Sequence, residues 1–187
     1  MKKYLILTLL AIGLSLSAQT YTGKNGTAYF ISRTDIINID ATNNSVASVI
    51  KKESGEIVAI VLIKAFKFTL ATAFDHFNEE YMESDKYPKA QFKGTIVELP
   101  DLDLTKEGVY EVTAEGELTI HGVTNPVKEK GSITVKDGTF AGECNFTVLL
   151  DDYEIKVPAM VKDRVSQTIE IKLSATYPLT EKSSTKK

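Results

Sequence analysis

A chain of 187 residues with 22 basic and 25 acidic side chains carries a net charge of −3. It lacks the clustered Lys and Arg on which nucleic-acid binding rests. One cysteine, Cys144, excludes an internal disulfide, and the two histidines, His76 and His121, form no ligand set with metal-site spacing.

The first element is a leader. Lys2-Lys3 precede an apolar run from Tyr4 to Leu16, and the small residues Ser15, Ser17 and Ala18 follow. This is the pattern of a secretory signal peptide over residues 1–18, cut after Ser17 or Ala18. The run is shorter than the roughly 20 residues a spanning helix needs. No cysteine stands at the cut to be acylated, so no stable membrane anchor is expected after cleavage. Losing the two lysines takes the net charge from −3 to −5. Residues 19–187 read as a single domain, ordered over about 27–178, a length that buries a core without covalent staples.

Strands are expected at Thr27–Ser32, Asp35–Asp40 and Ser45–Lys52, with Asn43-Asn44 as a turn and Ser54-Gly55 as the next. Glu56–Ile63 is apolar on both faces and predicts a strand that needs outer cover. Phe66 and Phe68 share one face of the next extended piece. From Thr72, a candidate N-cap, Ala73, Phe74, Phe77 and Tyr81 fall on one helical stripe, while Asp75, Glu79, Glu80 and Glu83 fall on the wet side. Lys86-Tyr87-Pro88 stops this helix, which is the natural cover for Glu56–Ile63.

Gln91–Glu98 predicts a strand with Phe92 and Ile96 on one face, followed by an acidic loop, Leu99–Gly108. Val112, Ala114, Gly116, Leu118 and Ile120 alternate with Thr113, Glu115, Glu117 and Thr119. Val127–Val135 follows, then Asp137-Gly138, a strong hairpin signal. Phe140, Gly142, Cys144, Phe146 and Val148 share a face, as do Ile169, Ile171, Leu173, Ala175 and Tyr177. The basic tail Lys182–Lys187 reads as a frayed end with too few charges to hold a membrane. Eight or nine antiparallel strands and one helix give an all-β fold, an up-and-down barrel or a sandwich. A barrel of about eight strands either fills itself with side chains or holds one small ligand.

The catalytic inventory is thin. His76 lies beside Asp75 off the apolar stripe, and His121 ends a strand in a turn, where bonding its own loop is the plain reading. Asp151-Asp152 are adjacent at a strand end, so their carboxylates point apart. Cys144 lies on an apolar face, unlike a reactive thiolate. There is no nucleophile elbow, phosphate loop or dinucleotide fingerprint. No catalytic residue, metal or cofactor is therefore assigned. The positive signal is apolar: Phe66, Phe68, Phe92, Leu118, Ile120, Phe146 and Ile171 either line a tunnel or pack as an ordinary core.

Tyr87-Pro88, Phe92 and the run Gly116-Glu117-Leu118-Thr119-Ile120-His121-Gly122-Val123-Thr124-Asn125-Pro126-Val127 resemble the YceI-like family. Glu80–Pro88 is similar to the stretch that precedes it there, and the resemblance runs from about Ala28 to Tyr177. It implies a lipocalin-like antiparallel β-barrel with a helix packed against it, export to the periplasm, and an apolar tunnel for polyisoprenoid chains, quinone-type tails included. The chain departs from the pattern twice. Phe74-Asp75 stands where many members carry Arg-Asp, and Asp151-Asp152-Tyr153-Glu154-Ile155 where many carry Asp-Arg-x-x-Phe-Gly. The headgroup contacts therefore do not transfer.

The expectation is a non-enzymatic carrier of an apolar lipid. The rival is a filled barrel acting as an interaction or stress-response module, with Leu99–Gly108 as its surface. A third reading is an enzyme using His121 and a carboxylate. Two-fold dimers are the commonest oligomers, and a homodimer is compatible with the sequence.

Overall fold

Alternation builds the wall. The computed structural model describes residues 19–179; the leader and the basic tail from Lys182 lie outside them. Among the described residues the strands are β1 (Thr20–Arg33), β2 (Asn38–Lys51), β3 (Glu56–Leu62), β4 (Lys67–Phe68), β5 (Lys89–Ile96), β6 (Gly108–Ile120), β7 (Val123–Lys136), β8 (Thr139–Leu149) and β9 (Thr168–Pro178). Their order is β1-β9-β8-β7-β6-β5-β3-β2, and β2 pairs back onto β1. Eight antiparallel strands therefore close a barrel, while β4 is a two-residue stub beside β2. Of the two architectures left open, the barrel is the one formed.

Two hairpins set the register. Asp137 and Gly138 have φ of 50° and 70°, and His121 and Gly122 have 52° and 80°. Positive φ at both central residues is the two-residue hairpin turn that matches strand twist. At Gly94 and Gly116, paired across β5 and β6, the strands approach too closely for a side chain: a Cβ on Gly116 would stand 2.3 Å from the Lys93 carbonyl oxygen.

Three local expectations are corrected and a fourth is refined. Asp35 to Ile37 is a turn, held by the Thr34 hydroxyl, which donates to the Ile37 carbonyl at 2.9 Å and accepts its N–H at 3.1 Å. Asn43-Asn44 is not a turn but lies inside β2, at a register shift against β1. Asn43 is fully buried. Its Nδ2 donates to the Leu62 carbonyl at 2.8 Å, and its Oδ1 accepts the Ser45 N–H at 2.8 Å. The amide replaces backbone pairing where β2 and β3 part. Asn43→Ala removes the partner of two part-buried backbone groups, the Leu62 carbonyl and the Ser45 N–H, each costing about 1–3 kcal/mol if left unpaired. A loss of about 3 kcal/mol in urea unfolding is expected, and a loss below about 1 kcal/mol refutes the bridging role.

The third correction concerns β3, which is not buried on both faces: Val58 and Leu62 are 37% and 51% exposed. Its expected cover sits elsewhere. The helix is short, α1 (Ala73–His76) running into a π-helical turn, Phe77–Tyr81. It docks by its rings. Phe77 stacks on Phe30 at 5.4 Å and meets Phe68 at 5.0 Å, which places it over one barrel mouth. Nor does Thr72 cap it. Thr72 is itself helical and makes no capping bond, because the turn already begins with Ala73 N–H to the Leu70 carbonyl.

The fourth concerns Leu99–Gly108, which is an exposed acidic loop as expected but is tied to the core at two points. It drops Leu99 and Leu104 into the core at the opposite mouth. Glu98 anchors it, accepting the Thr113 N–H at 2.6 Å and the Thr113 hydroxyl at 3.0 Å.

Candidate ligand cavity

Inward residues of the barrel line a cavity of about 140 Å³. That is room for on the order of ten waters. The space exists because small residues stand on the inward register at mid-height: Ser48, Ala59, Ala114, Gly131, Gly142 and Ala175 all line it. Large residues close the two mouths. Tyr21, Leu99, Leu104, Phe140 and Tyr177 pack together at one. At the other, Ile120, Val148, Tyr153 and Ile155 pack with Met82, beside the ring group of Phe30, Phe66, Phe68 and Phe77.

The residues singled out from the sequence divide between these regions. Phe92, Leu118 and Phe146 lie on the cavity wall. Ile120 and Ile171 belong to the cluster at the helix mouth. Phe66 and Phe68 pack with Phe77 under the helix, with centroids at 5.8 and 5.0 Å, and do not reach the cavity. Sequence reasoning favoured large rings and missed the small residues. The usable signal was small side chains recurring on the inward side of several strands.

The wall is almost wholly apolar. The Ser48 and Tyr177 hydroxyls satisfy each other at 2.7 Å, and burial pushes the Tyr177 hydroxyl above its ordinary range. The further polar residues on the lining are Glu129, Ser132, Glu143, Cys144 and Ser174, of which Glu129 and Cys144 stand on the inward register. The Cys144 thiol donates to the Lys130 carbonyl at 3.4 Å. Burial first, and the Glu129 charge second, push it from 9.0 up to about 11. Thiolate is the reactive form. At pH 7.5 iodoacetamide is therefore expected to alkylate Cys144 on the order of a hundredfold more slowly than an ordinary thiol, about tenfold per unit. The rate should climb with pH until about 11. A rate equal to that of free cysteine at pH 7.5 contradicts the burial argument.

His121 bonds other segments rather than its own loop. Its Nε2 lies 2.9 Å from Glu83 Oε2, its Nδ1 3.2 Å from the Tyr153 carbonyl, and its ring meets Tyr87 edge-on at 4.6 Å. A Cβ on Gly122 would stand 2.4 Å from that Tyr87 ring. The Tyr87-Pro88 and His121-Gly122 signatures are thus two halves of one joint, tying the segment after the helix to the β6–β7 hairpin. His76 is exposed and pairs with Glu80 at 2.9 Å. Asp151 and Asp152 lie in a 3₁₀ turn whose Asp152 carbonyl accepts Asn125 Nδ2 at 2.7 Å. Among the described residues no three His, Cys, Asp or Glu gather as metal ligands, and no helix is long and apolar enough to cross a membrane.

Comparison with known proteins places this geometry. A family model described as a YceI-like domain matches residues 19–177. A UPF0312 protein of Pseudomonas putida (strain W619) is 36% identical over 101 residues, 51% of this chain and 47% of that protein. The matched stretch thus spans about half the length of that curated relative. A polyisoprenoid binding domain from Saccharophagus degradans, implicated in plant cell wall breakdown, superposes with a TM-score of 0.71 at 11% identity, covering 86% of this chain and 98% of that one. Burkholderia cenocepacia BcnA gives 0.67 at 12%, covering 81% and 95%. A Campylobacter jejuni YCEI protein gives 0.53 at 13%, covering 97% and 100%. At such identities the structural likeness speaks for the fold alone.

Proposed function

The chain belongs to the YceI-like family, and from that premise we propose that it is a non-enzymatic carrier holding the apolar tail of a polyisoprenoid or isoprenoid-quinone lipid in the barrel. The observation that carries this reading is the apolar cavity of about 140 Å³, made by small inward residues between two plugged mouths. The Saccharophagus degradans neighbour, named as a polyisoprenoid binding domain, supports the ligand class. Each buried CH₂ contributes about 0.8 kcal/mol, so a tail segment binds without polar contacts inside the barrel. The leader supports a site of action in the periplasm, and sequencing of the exported protein should begin at Ala18 or Gln19.

The test is native mass spectrometry of protein purified undenatured from the exported fraction, then after incubation with menaquinone-4 and with ubiquinone-8. A one-to-one adduct with the mass of an isoprenoid lipid is expected. A bare mass under every condition turns the reading toward a barrel that carries no lipid and acts through its surface.

A further inference from the structure

The barrel wall has one opened joint. β7 and β8 pair from Lys136↔Thr139 to Gly131↔Cys144, and there the ladder stops. β7 continues back to Val123, paired only with β6, and β8 runs on to Leu149, paired only with β9. Two strand edges therefore face each other with no ladder between them, and edge N–H and C=O groups left without strand partners seek other hydrogen bonds. The turn Asp151–Tyr153 closes the far end of this seam through Asn125.

The cavity reaches the seam. Cys144 is the last paired inward residue, and Phe146 of β8 and Val127 and Glu129 of β7 are the next inward ones; all four line the cavity. Glu129 stands on the inward register, opposite Ala114 of β6. Among the described residues its carboxylate makes no hydrogen bond and no ion pair, although its charge acts on the Cys144 thiol. Its neighbours Lys128 and Lys130 point to the outer face, where Lys128 pairs with Glu115 at 3.0 Å. Elsewhere the interior offers a polar head little: the Ser48 and Tyr177 hydroxyls are engaged with each other, and both mouths are plugged by apolar side chains.

We propose that the polar end of the bound lipid lies in the β7–β8 seam, and that Glu129 selects there for an uncharged, hydrogen-bond-donating head, an alcohol or a quinol, over a phosphorylated one. The inference rests on the lipid-carrier reading and names the ligand class within it. A carboxylate at the seam accepts a hydrogen bond from a hydroxyl and repels a phosphate. The unpaired edges of β7 and β8 supply further backbone donors and acceptors.

The experiment is displacement of Nile red by geranylgeraniol and by geranylgeranyl diphosphate, on the parent, Glu129→Gln and Glu129→Lys, each checked by thermal melting. The two ligands share a tail and differ in the head. In the parent the alcohol should displace the dye at a concentration at least tenfold lower. In Glu129→Gln that preference should shrink at least threefold, and in Glu129→Lys it should invert. The change between variants removes the difference in water solubility of the two ligands. Equal potency in the parent, or an unchanged preference in Glu129→Gln, overturns the seam assignment while leaving the carrier reading standing. Failure of the parent to bind the dye and the alcohol alike overturns both.

Discussion

Gly142→Phe is expected to lower affinity for menaquinone-4 on the order of a hundredfold while the barrel stays folded. Gly142 lines the cavity, and a Cβ built on it meets no heavy atom within 4 Å. Its φ is not among the positive ones, so a side chain strains nothing in the backbone. A phenyl ring there enters space that the lipid tail would otherwise use. Excluding roughly four CH₂ groups at about 0.8 kcal/mol each costs about 3 kcal/mol, which is the hundredfold loss. Stability should change little, because burying a ring favours the fold by about 1.5–3 kcal/mol and tight packing opposes it by about 1–3 kcal/mol. Ala141→Phe, one residue earlier on the opposite face, is the control and should bind as the parent does. Parental affinity in Gly142→Phe shows that the lipid is not held in this cavity.

Phe140→Ala should be among the costliest single truncations in the barrel, at about 3–5 kcal/mol. Phe140 is fully buried, stacked on Tyr177 at 4.7 Å and 17° and edge-on to Tyr21 at 4.9 Å. It is the centre of the plug beneath Leu99 and Leu104. Domains of this kind are stable by only about 5–15 kcal/mol, so the loss is a large share. At about 2–4 °C per kcal/mol the midpoint should fall by roughly 10 °C. Phe74→Ala, at a 37% exposed ring touching Phe68, should cost well under half as much. Comparable losses for the two would mean that the helix mouth, not the Phe140 plug, carries the stability.

The strand faces were legible in the sequence because alternation is a local property. Val112 to Ile120, Phe140 to Val148 and Ile169 to Tyr177 each turn the expected side inward. Asp137-Gly138 was legible for the same reason, since two residues carry a whole turn. What failed was whatever depends on a distant partner. Asn43-Asn44 looks like a turn because Asn bends chains locally. Nothing nearby reveals that the Asn43 amide answers a carbonyl on another strand, that of Leu62. The helical stripe of Phe74, Phe77 and Tyr81 shows that one side is apolar, but not that Phe30 across the mouth, rather than β3, receives it. The hollow was the hardest feature to foresee. That Ser48 faces Ala59, and Gly142 faces Ala175, is known only once the register of the four strands is.

The closure of the ring also orders events in time. Thr27 pairs with Ser174 and Ser32 with Ile169, so the first strand and the last are neighbours in the finished wall. While β9 is still unmade, β1 and β8 each present an unclaimed edge, and the inner lining faces water. Such long-range joining is slow, typically milliseconds to seconds. Without β9 the wall lacks a stave between β1 and β8, so the barrel is a complete container only once Thr168–Pro178 is in place.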